Sequence, residues 1–309
     1  MTEALLNYVS LLRDSKDHSG TLLQLYTNFI STFDTKLNQL QLARILVAIA
    51  GDIKDKKEGQ KFLDEGVKKQ QAKESDDKIK VTRDIPQARV YLQCESALLA
   101  LQTGDVATAK DVIESSGEFL DSTIGVESIV YSAHYKLQLN YFKVVGPAED
   151  YYKNSLLYLA YTPLETIPLE DQQMLAFDLC LAALVGESIY SFGDLLTQKI
   201  LESIESGEAK WVVDLLRAFN AGDIPKYEDI VEKNAAALNA QPLLVQSKQV
   251  LTQKVAILSL IDLVFRKSLT DRNIDFEEIA TATRLRLDEV EVCSSSYLIS
   301  IYLRIYLFT

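Results

Sequence analysis

The sequence predicts an all-α chain of stacked helical hairpins, and three observations point there. Apolar residues recur at the three- and four-residue spacing of a helix face. One stretch, Leu99 to Glu114, aligns without gaps on another, Arg217 to Glu232. Only 12 Gly and 6 Pro occur in 309 residues, few for a β or glycine-loop-rich fold.

Taken in order, Leu22, Leu25, Tyr26, Phe29, Ile30 and Phe33 follow one helical stripe, and Leu42, Ile45, Leu46 and Ile49 repeat the pattern. Asn38 lies between them, so the pair reads as two antiparallel helices joined by a short loop. In the internal repeat, Ala100, Gly104, Asp105, Asp111 and Glu114 are identical to Ala218, Gly222, Asp223, Asp229 and Glu232. A helix ended by Gly, which adopts the left-handed conformation without a Cβ clash, passes into a helix capped by Asp. Gly51-Asp52 is read as a third copy of the turn. Such units stack by burying their apolar faces on their neighbours.

Pro147 and Pro168 precede acidic first turns at Glu149-Asp150 and Glu170-Asp171, which marks two helix starts. Leu175 to Leu196 reads as one buried helix with a turn at Gly193; Asp178, Glu187 and Asp194 make a membrane span expensive. Val255 to Phe265 reads as another buried helix. Asp275 with Glu278 suggests a capping arrangement opening a short helix, followed by a turn over residues 284–287 and a second helix from Asp288. That is a helix-turn-helix, the front half of a winged helix. After Val292 the chain is rich in β-branched and aromatic residues and carries one base, Arg304, so it does not continue the winged helix. A membrane anchor there is opposed by its serines and Arg304.

A net charge of −12 repels phosphate backbones and anionic membranes. The lysine-rich stretch Lys54 to Lys80 has acids interleaved throughout and reads as a solvated helix face. Cys94, Cys180 and Cys293 are scattered and odd in number, which fits a reducing compartment, and the first residues lack the pattern of a signal peptide. A cytoplasmic and nuclear location is expected. No catalytic constellation emerges. His18 and His134 have no partner at metal-ligand or acid-base spacing, and no phosphate loop, GxSxG elbow or CxxC pair occurs. No enzyme activity, cofactor or metal is expected. The helix-turn-helix could read DNA, but its second helix opens with Asp288, Glu289 and Glu291, whose charge opposes phosphate.

Helical repeats followed by a winged helix resemble the PCI-domain lid subunits of the proteasome regulatory particle. The resemblance runs from Leu22 to Val292 and is carried by Tyr26 to Asn38, Tyr151 to Glu165, Leu175 to Leu196, Ala218 to Asp223 and Phe276 to Ala280. It implies a right-handed helical-repeat solenoid followed by an incomplete winged-helix (PCI) module. The expected division is N-terminal repeats at 1–145, the helical part of the PCI module at 146–265, a partial winged helix at 266–292 and a divergent tail at 293–309. It also implies a non-catalytic scaffold in a hetero-oligomer, with other PCI lid subunits as partners and a ubiquitin-receptor subunit nearby. Ile274, Phe276, Ile279 and Val290 are implied to pack the winged-helix core, whose missing wing would join a neighbour. Departures from the family at both ends imply poor incorporation into the lid. The signalosome and a translation initiation factor share the PCI arrangement and stand as alternatives.

Overall fold

The structure, a computed structural model, describes residues 21–75, 82–266 and 274–284. Among them it is helical throughout, with no strand. The chain divides into two compact units at Pro163–Leu164.

The first unit contains α1 (Thr21–Asn28), α2 (Gln39–Asp52), α3 (Lys56–Ser75), α4 (Asp84–Gln102), α5 (Val106–Ser122), α6 (Ser128–Val145) and α7 (Ala148–Tyr161). α4 packs against α2, α3, α5 and α6, so it is enclosed nearly all round, burying Ala88, Leu92, Cys94 and Ala97 among others. α3 is the opposite case. Its lysines 56, 57, 61, 68 and 69 are exposed, and one narrow stripe of Gly59, Leu63, Gly66, Val67 and Gln70 is buried. Polar ties reinforce the packing: Arg89 pairs with Glu74 at 3.0 Å, and the Ser96 hydroxyl donates to Asp64 at 2.6 Å.

Local chemistry sets the ends of α1 and α2. The stripe expected from Leu22 to Phe33 is not one helix: α1 stops at Asn28 and a 3₁₀ turn follows at Ile30–Thr32. There the Ser31 and Thr32 hydroxyls donate to the carbonyls of Thr27 and Phe29, the back-bonding that competes with helix continuation. Phe29 is consequently exposed, while Leu22, Tyr26 and Ile30 are buried. Asn38 caps α2 by accepting from the Gln41 N–H at 2.9 Å.

The second unit contains α8 (Leu169–Val185), two short helices α9 (Gly193–Leu196) and α10 (Glu202–Glu205), then α11 (Lys210–Asn220) and α12 (Ile224–Lys233). It continues with α13 (Ala235–Asn239), α14 (Pro242–Gln246), α15 (Lys248–Arg266) and α16 (Phe276–Thr283). α11 buries Trp211, Val212, Leu215, Leu216 and Phe219, packing against α8, α12 and α15.

α7 packs along α6 and belongs to the first compact unit, which ends at Pro163. Two expectations are corrected. The buried helix expected over Leu175 to Leu196 ends at Val185, and Gly193 begins α9 where a turn was expected. Asp275 precedes α16, but its side chain makes no capping hydrogen bond. The turn after α16 starts at Arg284, which has a left-handed φ of 55°. The helix expected from Asp288 and the segment 293–309 lie outside the described residues.

Candidate functional site: repeat turns and the α15–α16 pair

The two aligned Gly-Asp turns are one structure used twice. Gly104 and Gly222 have φ of 97° and 60°. The Asp105 N–H donates to the Ala100 carbonyl and the Asp223 N–H to that of Ala218, each at 3.0 Å. The glycine N–H groups donate to Leu101 and Phe219, at 3.1 and 3.0 Å. This is a Schellman closure with Gly at C′, whose next residue is already the cap of the following helix. Asp105 accepts from the Thr108 N–H at 3.1 Å and Asp223 from the Lys226 N–H at 3.0 Å. The Thr108 hydroxyl and backbone hold the Asp105 carboxyl below the usual carboxylate range.

Gly51-Asp52 is different. Both residues lie inside α2, which ends on extended Ile53, so no left-handed glycine is required. The residue beside the start of α3 is Asp55, which accepts from the Lys57 N–H at 2.9 Å. The third copy of the turn is therefore corrected to a simple helix end.

The two true turns differ in their surroundings. A Cβ on Gly104 would meet nothing within 4 Å. One on Gly222 would lie 2.8 Å from the Leu258 carbonyl oxygen and from the Ser259 Cα, so the second turn is pressed onto the backbone of α15. On that helix Ser259 donates to the Ala282 carbonyl at the end of α16 at 3.0 Å, and Arg284 pairs with Glu228 of α12.

Of the implied winged-helix core residues, Ile279 is buried with Leu260, and Ile274 packs partly buried against them beside Leu263, Val264 and Ala280. Phe276 does not join them. It opens the first turn of α16 and is 55% exposed. Val290 lies outside the described residues.

Sequence reasoning missed Lys254. It is 1% exposed, on the buried stripe of Leu251, Val255 and Leu258 in α15. Its ammonium donates to the carbonyls of Ala183, Leu184 and Gly186 at 2.8, 3.1 and 2.7 Å, where α8 has run out of intrahelical donors. The Phe192 and Tyr190 rings lie over it at 5.2 and 5.7 Å from their centroids. A lysine at a position whose helical neighbours are all apolar was the available signal.

The titratable groups inside the first unit are quiet. His134 bonds through Nδ1 to the Ser116 hydroxyl at 2.8 Å, and burial pushes its pKa down to about 4, opposed by Asp121, so it is neutral near pH 7. Burial pushes the Cys94 thiol up to about 12, and does the same to Cys180 in the second unit. Thiols held there are poor nucleophiles. Among the described residues no three His, Cys, Asp or Glu side chains gather as a metal site. Nor is any described helix long and apolar enough to cross a membrane.

The family model for PSD13 N-terminal repeats matches residues 1–216. The 26S proteasome non-ATPase regulatory subunit 13 homolog B of Arabidopsis thaliana is 36% identical over 272 residues, which covers 87% of this chain and 68% of the relative. The subunit 13 protein of Dictyostelium discoideum is 36% identical over 273 residues with the same coverage. The regulatory subunit RPN9 of Saccharomyces cerevisiae is 34% identical over 274 residues, again covering 87% and 68%. With helical repeats in the matched region and identity sustained beyond it, the chain belongs to the family of 26S proteasome non-ATPase regulatory subunit 13 and Rpn9.

Proposed function

We propose that this chain is a non-catalytic structural subunit of the lid of the 26S proteasome regulatory particle, and serves ubiquitin-dependent protein degradation by holding other subunits in place. The carrying observation is the identity to named proteasome regulatory subunits along 87% of the chain. The interior is consistent with this. Its buried thiols and imidazole have pKa values shifted away from reactivity, and its buried ammonium is spent on backbone carbonyls. The partners are other PCI subunits of the lid, with a ubiquitin-receptor subunit close by, in the cytoplasm and nucleus. The division that matters for this role is the one at 265/266, between the PCI helices and the partial winged helix.

Nucleic-acid reading is disfavoured by the net charge of −12 and by the pairing of Arg284 with Glu228. The test is affinity purification of a tagged chain from cells, with quantitative mass spectrometry. Recovery of proteasome regulatory subunits is expected. Recovery of the signalosome or of an initiation factor instead would move the assignment to that assembly, and recovery of none of the three would overturn it.

A further inference from the structure

Of the 6 prolines in the chain, Pro163 alone follows a hydroxyl residue, Thr162. Thr162 is the C-cap of α7, with extended backbone at φ −121° and ψ 116°. Proline fixes its own φ and keeps the preceding residue out of the helical region, so the threonine is held in an extended conformation. Pro163, Glu165 and Thr166 just beyond it are exposed, and Thr162 itself is half-buried. An extended, Pro-followed hydroxyl beside exposed chain is the form in which a proline-directed kinase takes its substrate.

The Thr162 hydroxyl has a specific role in the fold. Its Oγ1 lies 2.7 Å from the Ser132 Oγ on α6. The residue before it, Tyr161, is inserted between two α6 tyrosines, stacked on Tyr131 at 4.7 Å and on Tyr135 at 5.6 Å. The hydrogen bond and the three-ring stack together fasten the last turn of α7 to α6.

We propose that Thr162 is a phosphate-acceptor site for a proline-directed protein kinase, and that phosphorylation releases the end of α7 from α6. The Thr162 Oγ1 attacks the γ-phosphorus of ATP, the bond to the bridging oxygen of the β-phosphate breaks, ADP leaves, and the hydroxyl proton passes to the kinase's carboxylate base. The product carries a charge of about −1.5 to −2 at pH 7. It sits at the C-terminal end of a helix, where the macrodipole is already negative. Ser132 has one proton to offer it. The phosphate therefore swings out, and Tyr161, bonded to Thr162, is drawn from between its two partners.

The test treats the folded full-length chain with a purified proline-directed kinase and MgATP, with site mapping by mass spectrometry and amide hydrogen exchange of α7. Phosphate on Thr162 is expected, absent in Thr162→Ala and Pro163→Ala. Ser132→Ala, which frees the hydroxyl, raises the rate about two- to tenfold, the worth of one neutral hydrogen bond. Exchange over residues 157–161 rises about tenfold on phosphorylation, from one lost bond and repulsion at a helix end. A native chain that stays unmodified while a peptide of residues 155–168 takes phosphate would overturn the proposal. So would a peptide that is itself refused, or a phosphorylated chain with unchanged exchange.

Discussion

The turns at Gly104 and Gly222 share sequence, left-handed glycine, backbone closure and aspartate cap, yet one stands in open space and the other lies against α15. A motif specified by neighbours in sequence reproduces its local geometry wherever it falls. What it costs to disturb is decided by whatever else the fold brings to it. At Gly104 only the backbone conformation demands glycine. At Gly222 the approach of Leu258 and Ser259 demands it as well, because α15 must pass close to carry α16.

Substitution separates the two demands. Gly222→Ala is expected to cost about 3–5 kcal/mol, from left-handed strain and forced displacement of α15. Chemical denaturation reads it, and a loss equal to that of Gly104→Ala would erase the distinction. Lys254→Met tests whether α15 is also held from its other attachment. Stripping three buried carbonyls of their donor is expected to cost about 3 kcal/mol, with faster exchange over residues 183–192; an unchanged midpoint would refute the clamp.

In the first unit the comparable sensitivity is to pH. Unfolded His134 titrates near 6.5, and folded His134 at about 4. Between those values the unfolded state binds more protons, so stability is complete above pH 6.5 and falls as the pH drops towards 4. The slope is about 1.4 kcal/mol per pH unit and the total roughly 3 kcal/mol. Replacement by Gln should flatten that window in a pH series of unfolding curves. The smallest effect is expected for Gly104→Ala, about 1–2 kcal/mol, from the left-handed backbone alone.

Much of the fold was legible because it is written in short-range chemistry. The Gly-Asp junctions, the cap at Asn38 and the helix starts after Pro147 and Pro168 each depend on residues within one turn of one another. The misreadings have long-range causes. The helix expected to run to a turn at Gly193 ends at Val185, where an ammonium 68 residues from Gly186 in sequence takes over its last carbonyls. Ile189, Phe192 and Leu195 stay buried past the break, so the apolar pattern continues although the helix does not. Gly51-Asp52 carried the right letters, but α2 ran through them. Of the implied winged-helix core, Ile279 and Ile274 meet α15, and Phe276, in the opening turn of α16, does not.

On the reading proposed above, this chain acts through its fold, as one regulatory subunit held among others. The most direct test of that reading is to purify tagged wild type, Gly104→Ala and Gly222→Ala in parallel and quantify the proteasome regulatory subunits recovered with each. Full recovery is expected with wild type, a small loss with Gly104→Ala and a large one with Gly222→Ala, in step with the folded fraction. A folded wild-type chain that recovers no regulatory subunit would contradict the reading.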